Sequence, residues 1–197
     1  ISIVSNKVQT TRFSIRGVLN LCIDDKGKEK SQIIFIDTPG IFKPKRNLDK
    51  LILNNAIKNI KDSDHNILIY DSKRNSGLDE FLETLKMTNL DNTKTSLVLN
   101  KIDLVEKNKL LEMTNKILCR INFSNVFMIS AKNGDGCIDL INFLAKKMPE
   151  GELLYDEEFK TNLPKQILAA EITREKLFIK LGFELPYNLF VKTIDWN

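Results

Sequence analysis

The sequence is poor in cysteine and histidine, and this excludes several kinds of site. Its three cysteines are odd in number and form no CxxC pair, so neither a zinc site nor a disulfide framework is indicated. A chain of this kind fits a reducing cytosol. The single histidine, His65, directly precedes an apolar stretch, and we expect it to be structural. No apolar run approaches the roughly 20 residues of a membrane-spanning helix.

The charge balance is also modest. Thirty Lys and Arg residues stand against 26 Asp and Glu residues, which gives a formal net charge of +4 and an isoelectric point near 8.9. A mildly basic chain permits a nucleic-acid partner without demonstrating one. With 197 residues, 42% of them hydrophobic, the chain is long enough for one full domain and part of another.

Strand-like runs alternate with helical patterns along residues 1–148. This alternation predicts an α/β fold, a doubly wound and mostly parallel sheet with helices on both faces. The near-continuous Ile, Leu and Val content of the later strands suits a sheet that is buried on both sides. The predicted strands are 15–24, 32–37, 66–71, 95–100 and 125–129, and the predicted helices are 48–60, 78–87, 107–121 and 137–147.

A change of composition at residues 148–151, Met-Pro-Glu-Gly, marks a predicted linker. We therefore expect a first domain at 1–148, a linker at 149–163 and a second domain at 164–197. Helical spacing of apolar residues predicts a helix at 163–181, and a weaker alternation predicts a strand at 187–196. One helix and one strand make too small a core to stand alone, so the second domain is expected to be partial.

The segment Asn-Lys-Ile-Asp at residues 100–103 closes a predicted strand and carries the most informative chemistry. A carboxylate at Asp103 can accept two parallel hydrogen bonds, from N1 and from the exocyclic amine of guanine, whereas adenine offers no such pair of donors. Asn100 would bond N7 of the base, and Lys101 would lay its methylene stem along the ring. The segment therefore indicates GTP or GDP rather than ATP.

Two further segments follow predicted strands in the same way. Asp-Thr-Pro-Gly at residues 37–40 ends one strand, and Ser-Ala-Lys at 130–132 ends another. Because open α/β sheets bind ligands at the carboxyl ends of their strands, the three segments would share one pocket. Each segment taken alone is also compatible with an ordinary turn. Residues Asp37, Thr38, Gly40, Asn100, Lys101, Asp103, Ser130, Ala131 and Lys132 form the predicted GTP-binding set.

Each of these segments has a predicted task in the pocket. Asp37 would hold Mg²⁺ through water, and the backbone N–H of Gly40 would bond the γ-phosphate. Ser130 and Lys132 would support their loop, and the N–H of Ala131 would meet O6 of guanine.

The sequence contains no GxxxxGK(S/T) loop, whose backbone N–H groups and lysine cradle the phosphates in sites of this type. The first residues, from Ile1 to Arg12, resemble the segment that comes after a phosphate-loop helix. We therefore expect the chain to be a fragment or the product of a truncated reading frame.

Together these segments carry a family resemblance that covers nearly the whole chain. The sequence resembles the Era family in the TrmE-Era group of bacterial GTPases. Related GTPases such as Der share the earlier motifs, whereas the later segments are typical of Era, where they open a C-terminal KH RNA-binding domain. The GxxG loop with which a KH domain clamps nucleotides is absent. The segments that carry the resemblance are QTTR at 9–12, DTPG, NKID, SAK, PEGELLY at 149–155, AEITREKL at 170–177 and ELPY at 184–187.

The resemblance implies a Ras-like P-loop GTPase domain that lacks its first strand and its phosphate loop, followed by the start of an α+β KH domain. In Ras-like folds the first strand lies between the strands that here end at Asp37 and Asp71, so a gap in the sheet is expected. The implied function is GTP binding and hydrolysis, with Mg²⁺, coupled to small ribosomal subunit assembly. Implied partners are GTP or GDP, ribosomal RNA and the 30S subunit. A cytoplasmic monomer is expected, with peripheral contact at the inner face of the membrane left open.

Two more groups of residues take roles from the resemblance. Thr11, with Thr10 as the alternative, resembles the switch threonine that contacts Mg²⁺, so Thr11 and Asp37 are the predicted metal ligands. Three residues of the late helix are predicted to meet RNA phosphates, with a solvated charged face as the alternative. These three are Arg174, Lys176 and Lys180.

No catalytic residue is assigned from the sequence. Catalysis in this class is mostly positioning and charge stabilisation, often with a glutamine that orients the attacking water. Ile41 follows Gly40 here, and an apolar side chain cannot orient water by a hydrogen bond. We therefore expect the full-length protein to hydrolyse GTP slowly, with the backbone, the metal or an outside group in place of the glutamine. Because the chain lacks the phosphate loop, its own GTPase activity is expected to be impaired, and the alternative is a non-enzymatic remnant that binds no nucleotide productively.

Overall fold

The computed structural model of the chain describes residues 15–22, 30–38, 56–74, 77–87, 91–180 and 189–195. Within these ranges the chain forms two β-sheets with helices packed against them. The first sheet is an antiparallel pair, β1 (Ile15–Cys22) and β2 (Lys30–Asp37), in which Ile15 lies opposite Asp37. The predicted strands 15–24 and 32–37 correspond to this pair.

The second sheet has three parallel strands in the order β3-β4-β5. These are β3 (Asn66–Asp71), β4 (Thr95–Asn100) and β5 (Asn125–Ile129), and all three match the predicted bounds. In the parallel register Asp71 lies beside Asn100, and Asn100 lies beside Ile129. The carboxyl ends of the three strands therefore meet at one edge of the sheet.

Helices cover both faces of the parallel sheet, as the doubly wound prediction requires. On one face, residues of α2 (Leu78–Met87) and α3 (Lys107–Leu118) pack against β4 in a cluster of Leu82, Leu85, Ile117, Leu97 and Leu99. On the other face, α4 (Cys137–Lys147) packs Leu140, Leu144 and Ala145 against Val98 and Ile129. Helix α1 is described over residues 56–62.

Helix α3 ends at Leu118, earlier than the predicted residue 121. The N–H of Arg120 donates to the carbonyl of Ile117 at 3.0 Å, a tightened bond that closes the last turn.

The described residues contain no strand that pairs with both β2 and β3, and the two sheets share no hydrogen-bond ladder there. The expected gap between the strands that end at Asp37 and Asp71 stays a prediction. Helix α4 bridges them instead. Ile33 of β2 belongs to the same buried cluster as Val98 and Leu144, and the hydroxyl of Ser31 donates to the carbonyl of Ala145 at 3.2 Å. The antiparallel pair is thus held to the parallel sheet by shared packing on one helix.

The predicted linker does not leave the first domain directly, because residues 151–162 lie along the β1–β2 pair. The N–H of Val18 donates to the carbonyl of Lys160 at 3.0 Å, and Gly17 forms an antiparallel bridge with Thr161. We call residues 151–162 the docked segment. Tyr155 and Phe159 within it stack their rings with centroids 4.5 Å apart.

Both polar atoms of the Gln32 side chain, on β2, form hydrogen bonds with the docked segment. Its Oε1 accepts hydrogen bonds from the N–H groups of Leu154 and Tyr155, both at 3.0 Å. Its Nε2 donates to the carbonyl of Tyr155 and to Oδ1 of Asn20, both at 2.8 Å. One amide therefore fastens the docked segment to both strands of the pair.

After the docked segment, α5 (Lys165–Lys180) begins close to its predicted start, with the N–H of Leu168 bonded to the carbonyl of Pro164. The predicted strand at 187–196 is wrong over its described part, because residues 189–195 form no strand. Ile194 is 96% exposed there, so its apolar side chain faces solvent and not the described part of either sheet. In the described part of the chain, no helix combines the length and hydropathy needed to cross a membrane.

Replacing Gln32 with Leu should release the docked segment. The change leaves the N–H groups of Leu154 and Tyr155 without their acceptor, and a loss of about 1–2 kcal/mol in the free energy of unfolding is expected. Hydrogen exchange at these two amides should accelerate. The matched control is Gln166→Leu on the exposed surface of α5, and unchanged exchange in Gln32→Leu would contradict the role given to this amide.

Candidate functional site

Asn100 holds together two loops at the carboxyl edge of the parallel sheet. Its Oδ1 accepts a hydrogen bond from the N–H of Lys101 at 2.8 Å and another from the N–H of Ala131 at 3.0 Å. The loop after β4 and the loop after β5 are therefore fixed by one side chain. The predicted meeting of the NKID and SAK segments is what the structure shows, and we call residues 100–103 with 130–132 the NKID/SAK edge.

Lys101 occupies an unusual backbone conformation at this edge. With φ 67° and ψ 36° it is left-handed, and among the described residues it is the only non-glycine with positive φ. The N–H of Leu104 donates to the carbonyl of Lys101 at 3.0 Å and closes a short 3₁₀ turn over Ile102–Leu104. Such strain at a non-glycine residue is typical of functional loops.

Asp103 is presented to solvent and is oriented by a buried neighbour. The hydroxyl of Ser130, which is fully buried, donates to Oδ1 of Asp103 at 2.7 Å. Ser130 is itself fixed, since its N–H donates to the carbonyl of Asp135 at 3.0 Å. The hydroxyl of Ser130 also accepts a hydrogen bond from the N–H of Asn133 at 3.3 Å, within the loop that Ser130 is predicted to support. The chemistry of this edge is that of an oriented acceptor.

The loop after β5 depends on a glycine. Gly136 has φ +69°, and a Cβ added there would lie 2.3 Å from the carbonyl oxygen of Met128. Only glycine allows the loop to turn this tightly against β5 before α4 begins. The same loop carries Ser130, whose N–H donates to the carbonyl of Asp135, the residue before this glycine.

The other two residues of the SAK segment, Ala131 and Lys132, lie on the surface beside Asn100 and Ser130. The N–H of Ala131, predicted to meet guanine O6, donates to Asn100 in this structure. Lys132 is exposed. The contacts of both with a nucleotide stay predictions.

Sequence reasoning missed Asp71, which lies at the end of β3. Its Oδ2 is 2.6 Å from Nζ of Lys101, and its Oδ1 accepts a hydrogen bond from the N–H of Lys73 at 3.0 Å. The signal that could have found it is positional, since parallel strands of equal length place the final residues of β3 and β4 side by side.

The phosphate side of the predicted site is described only in part. Asp37 and Thr38 are half-buried at the end of β2. Thr10, Thr11, Gly40 and Ile41 lie outside the described residues, so their predicted roles stay predictions. Within the described ranges, no three His, Cys, Asp or Glu side chains are grouped to hold a metal ion.

The predicted RNA-binding residues of α5 are not placed alike. Arg174 is 6% exposed and pairs with Glu171 at 2.5 Å, so its guanidinium is turned into the structure. Lys176 and Lys180 are exposed. An RNA-binding role stays a prediction for the three residues, and Arg174 is the least accessible of them.

His65 has the structural environment expected from the sequence. Its Nε2 lies 2.8 Å from the hydroxyl of the buried Ser96, and its ring packs edge-on against Phe143 with centroids 5.6 Å apart. Burial lowers the pKa of the imidazole below its ordinary value of 6.5, and the ammonium of Lys147 lowers it further. The neutral form is therefore favoured in the folded chain.

A family model described as "50S ribosome-binding GTPase" matches residues 1–101, which is more than half of the chain. The chain belongs to this GTPase family. Among curated relatives, GTPase Era of Agrobacterium fabrum strain C58 is 44% identical over 100% of the chain and 60% of the relative. GTPase Era of Sinorhizobium medicae is 44% identical over 100% of the chain and 61% of the relative. The predicted resemblance to Era is thereby confirmed.

Solved structures agree with this assignment. The chain matches Era in complex with MgGDPNP and nucleotides 1506–1542 of 16S ribosomal RNA, with a TM-score of 0.77 and 31% identity over 94% of the chain and 61% of that structure. It also matches an Aquifex aeolicus Era variant bound to GDP.AlF4⁻, with a TM-score of 0.75 and 32% identity over the same shares. The Ras-like GTPase fold is confirmed, and the chain spans about three fifths of the length of these relatives.

The environment of His65 predicts a pH dependence of stability. Its folded pKa is depressed, so the unfolded chain binds the proton more tightly, and the free energy of unfolding should fall as pH drops below about 6.5. Urea unfolding at pH 7.5, 6.5 and 5.5 measures this slope, and His65→Gln should flatten it. An equal slope in His65→Gln would show that other groups are responsible.

Proposed function

We propose that the chain binds guanine nucleotides through the NKID/SAK edge. The observation that carries the proposal is the carboxylate of Asp103, which is exposed yet oriented by the buried hydroxyl of Ser130. A fixed carboxylate accepts the two parallel donors of guanine without first losing side-chain freedom, and adenine lacks that pair of donors. Asn100 braces the pocket from beneath, and Lys101 lays its stem along the base.

On the phosphate side, Asp37 and Thr11 would hold Mg²⁺ together with the nucleotide. Mg²⁺ is usually bound through one or two carboxylates plus phosphate oxygens, so the carboxylate of Asp37 at a strand end suits the ion. The bound ion would neutralise charge on the phosphates. Thr38 and the N–H of Gly40 would bind beside it, and Lys132 would support the base loop.

For the whole protein, we propose GTP hydrolysis coupled to small ribosomal subunit assembly. Support comes from the relatives named GTPase Era and from the solved Era complex with 16S ribosomal RNA. Residues 164–197 would begin the KH domain, in which Lys176 and Lys180 would meet RNA phosphates. A cytoplasmic monomer fits this function, and peripheral membrane contact would be an addition to it.

Titration calorimetry with Mg²⁺ tests the proposal on this chain. GDP should bind saturably and ATP should not, because only guanine satisfies Asp103. Asp103→Ala should weaken GDP binding by roughly 10-fold to 100-fold, the range for losing hydrogen bonds to a charged group. The matched control Asp139→Ala removes an exposed carboxylate from α4 and should bind GDP normally.

A failure to bind GDP would count against the proposal. No GDP binding below about 1 mM, a standard free energy weaker than about −4 kcal/mol, would favour the remnant alternative. That alternative draws on one observation, the lack of a GxxxxGK(S/T) loop in this sequence.

A further inference from the structure

Asp71 is held rigidly beside the base side of the NKID/SAK edge. Asp71 is paired with Asn100 in the β3–β4 ladder. The hydrogen bonds between the two strands continue one residue further, because the N–H of Ser72 donates to the carbonyl of Asn100 at 3.0 Å. Oδ1 of Asp71 accepts the N–H of Lys73, which sets the direction of the carboxylate. Oδ2 then lies 2.6 Å from Nζ of Lys101.

Lys101 is consequently anchored at both ends. Its backbone is fixed in the left-handed region by the bond from its N–H to Asn100, and its ammonium is fixed by Asp71. Only the methylene stem lies between these anchors. A lysine stem is otherwise flexible, and holding it in one conformation costs side-chain entropy at the moment a ligand binds.

Stability alone does not account for this ion pair. The side chains of Lys101 and Asp71 are 45% and 33% exposed, and pairs this exposed contribute little to folding. The ion pair instead orients the methylene stem of Lys101, because it joins a residue that follows β4 to a fixed carboxylate at the end of β3. Preorganisation of this kind strengthens binding by reducing what must be ordered later.

We propose that Asp71 is a positioning residue for the purine ring. It holds the methylene stem of Lys101 in one conformation, so that the stem offers the base an apolar surface to pack against. This inference rests on the proposed guanine nucleotide site. Lys101 would touch the face of the ring, which guanine and hypoxanthine share. Asp103 reads the ring edge, where hypoxanthine lacks the exocyclic amine. The two carboxylates therefore have separable effects on GDP and IDP.

The test measures GDP and IDP affinity by calorimetry for the wild type and for four variants, Asp71→Asn, Asp71→Glu, Lys101→Met and Asp103→Ala. Asp71→Asn should weaken both nucleotides by the same factor, about threefold to tenfold, as expected for freeing one immobilised side chain. Asp71→Glu should restore most of the affinity. Asp103→Ala should instead reduce the preference for GDP over IDP. If Asp71 had only a structural role, Asp71→Asn would not weaken GDP and IDP binding by the same factor, and Asp71→Glu would not restore both affinities.

The matched control is Asp79→Asn, which breaks another exposed ion pair, with Arg120, and should leave both affinities unchanged. Melting temperatures of all variants show whether folding is affected. If Asp71→Asn lowers the melting temperature, Lys101→Met is used in its place, since it breaks the same ion pair and keeps an apolar stem. The double variant Asp71→Asn/Lys101→Met should then bind GDP and IDP no more weakly than the single variants.

Two results overturn the inference without touching the proposed function. One is a wild type that binds GDP while Asp71→Asn and Lys101→Met leave both affinities unchanged. The other is a change in the ratio of GDP to IDP affinity in Asp71→Asn. A wild type that binds neither nucleotide overturns the proposed function, and this inference falls with it.

Discussion

The structure depends on β4, whose first five residues are completely buried. Residues Thr95 to Leu99 of β4 are all buried, and none of the five has any exposed surface. Leu97 and Leu99 face the α2–α3 side, and Val98 faces α4, so both cores are built on the same strand. Because neighbouring strands pair with β4 on both edges, its position sets the register of the whole parallel sheet.

The candidate site takes its precision from that strand. β4 ends at Asn100, the side chain that receives the N–H groups of both Lys101 and Ala131. The carboxylate of Asp103, the buried hydroxyl of Ser130 that orients it and the anchored Lys101 are therefore placed by core packing and hydrogen bonds. A binding edge built on such an element is ordered before its ligand arrives, which favours affinity and discrimination.

In the part of the chain that the structure describes, the antiparallel pair joins this arrangement through α4 and not through a shared ladder. Ile33 and Ser31 of β2 contact the α4 side of the structure, and the same helix starts just after the loop that carries Ser130. The opposite side of the pair binds the docked segment through Gln32. β2 thus lies between the buried cluster around Val98 and Leu144 and the docked segment that leads to α5, and Asp37 lies at the end of β2.

The sequence predicted the three parallel strands best. Their bounds match because continuous apolar runs ended by Asn or Asp are informative locally, as at Asn66–Asp71 and Thr95–Asn100. Features that arise from long-range polar contacts were not predictable. The docking by Gln32 and the pairing of Asp71 with Lys101 each join residues that are distant in sequence. The strand predicted at 187–196 failed over 189–195 because alternation alone does not provide a neighbouring strand.

We propose that the NKID/SAK edge is already formed and reads guanine. Amide chemical-shift mapping with ¹⁵N-labelled chain and added GDP tests this proposal. We expect saturable shifts concentrated at residues 100–104 and 130–132, with the amides of α3 and α5 unchanged and with AMP producing no such pattern. Shifts that are absent at millimolar GDP, or that appear elsewhere while these two loops stay unchanged, would contradict it.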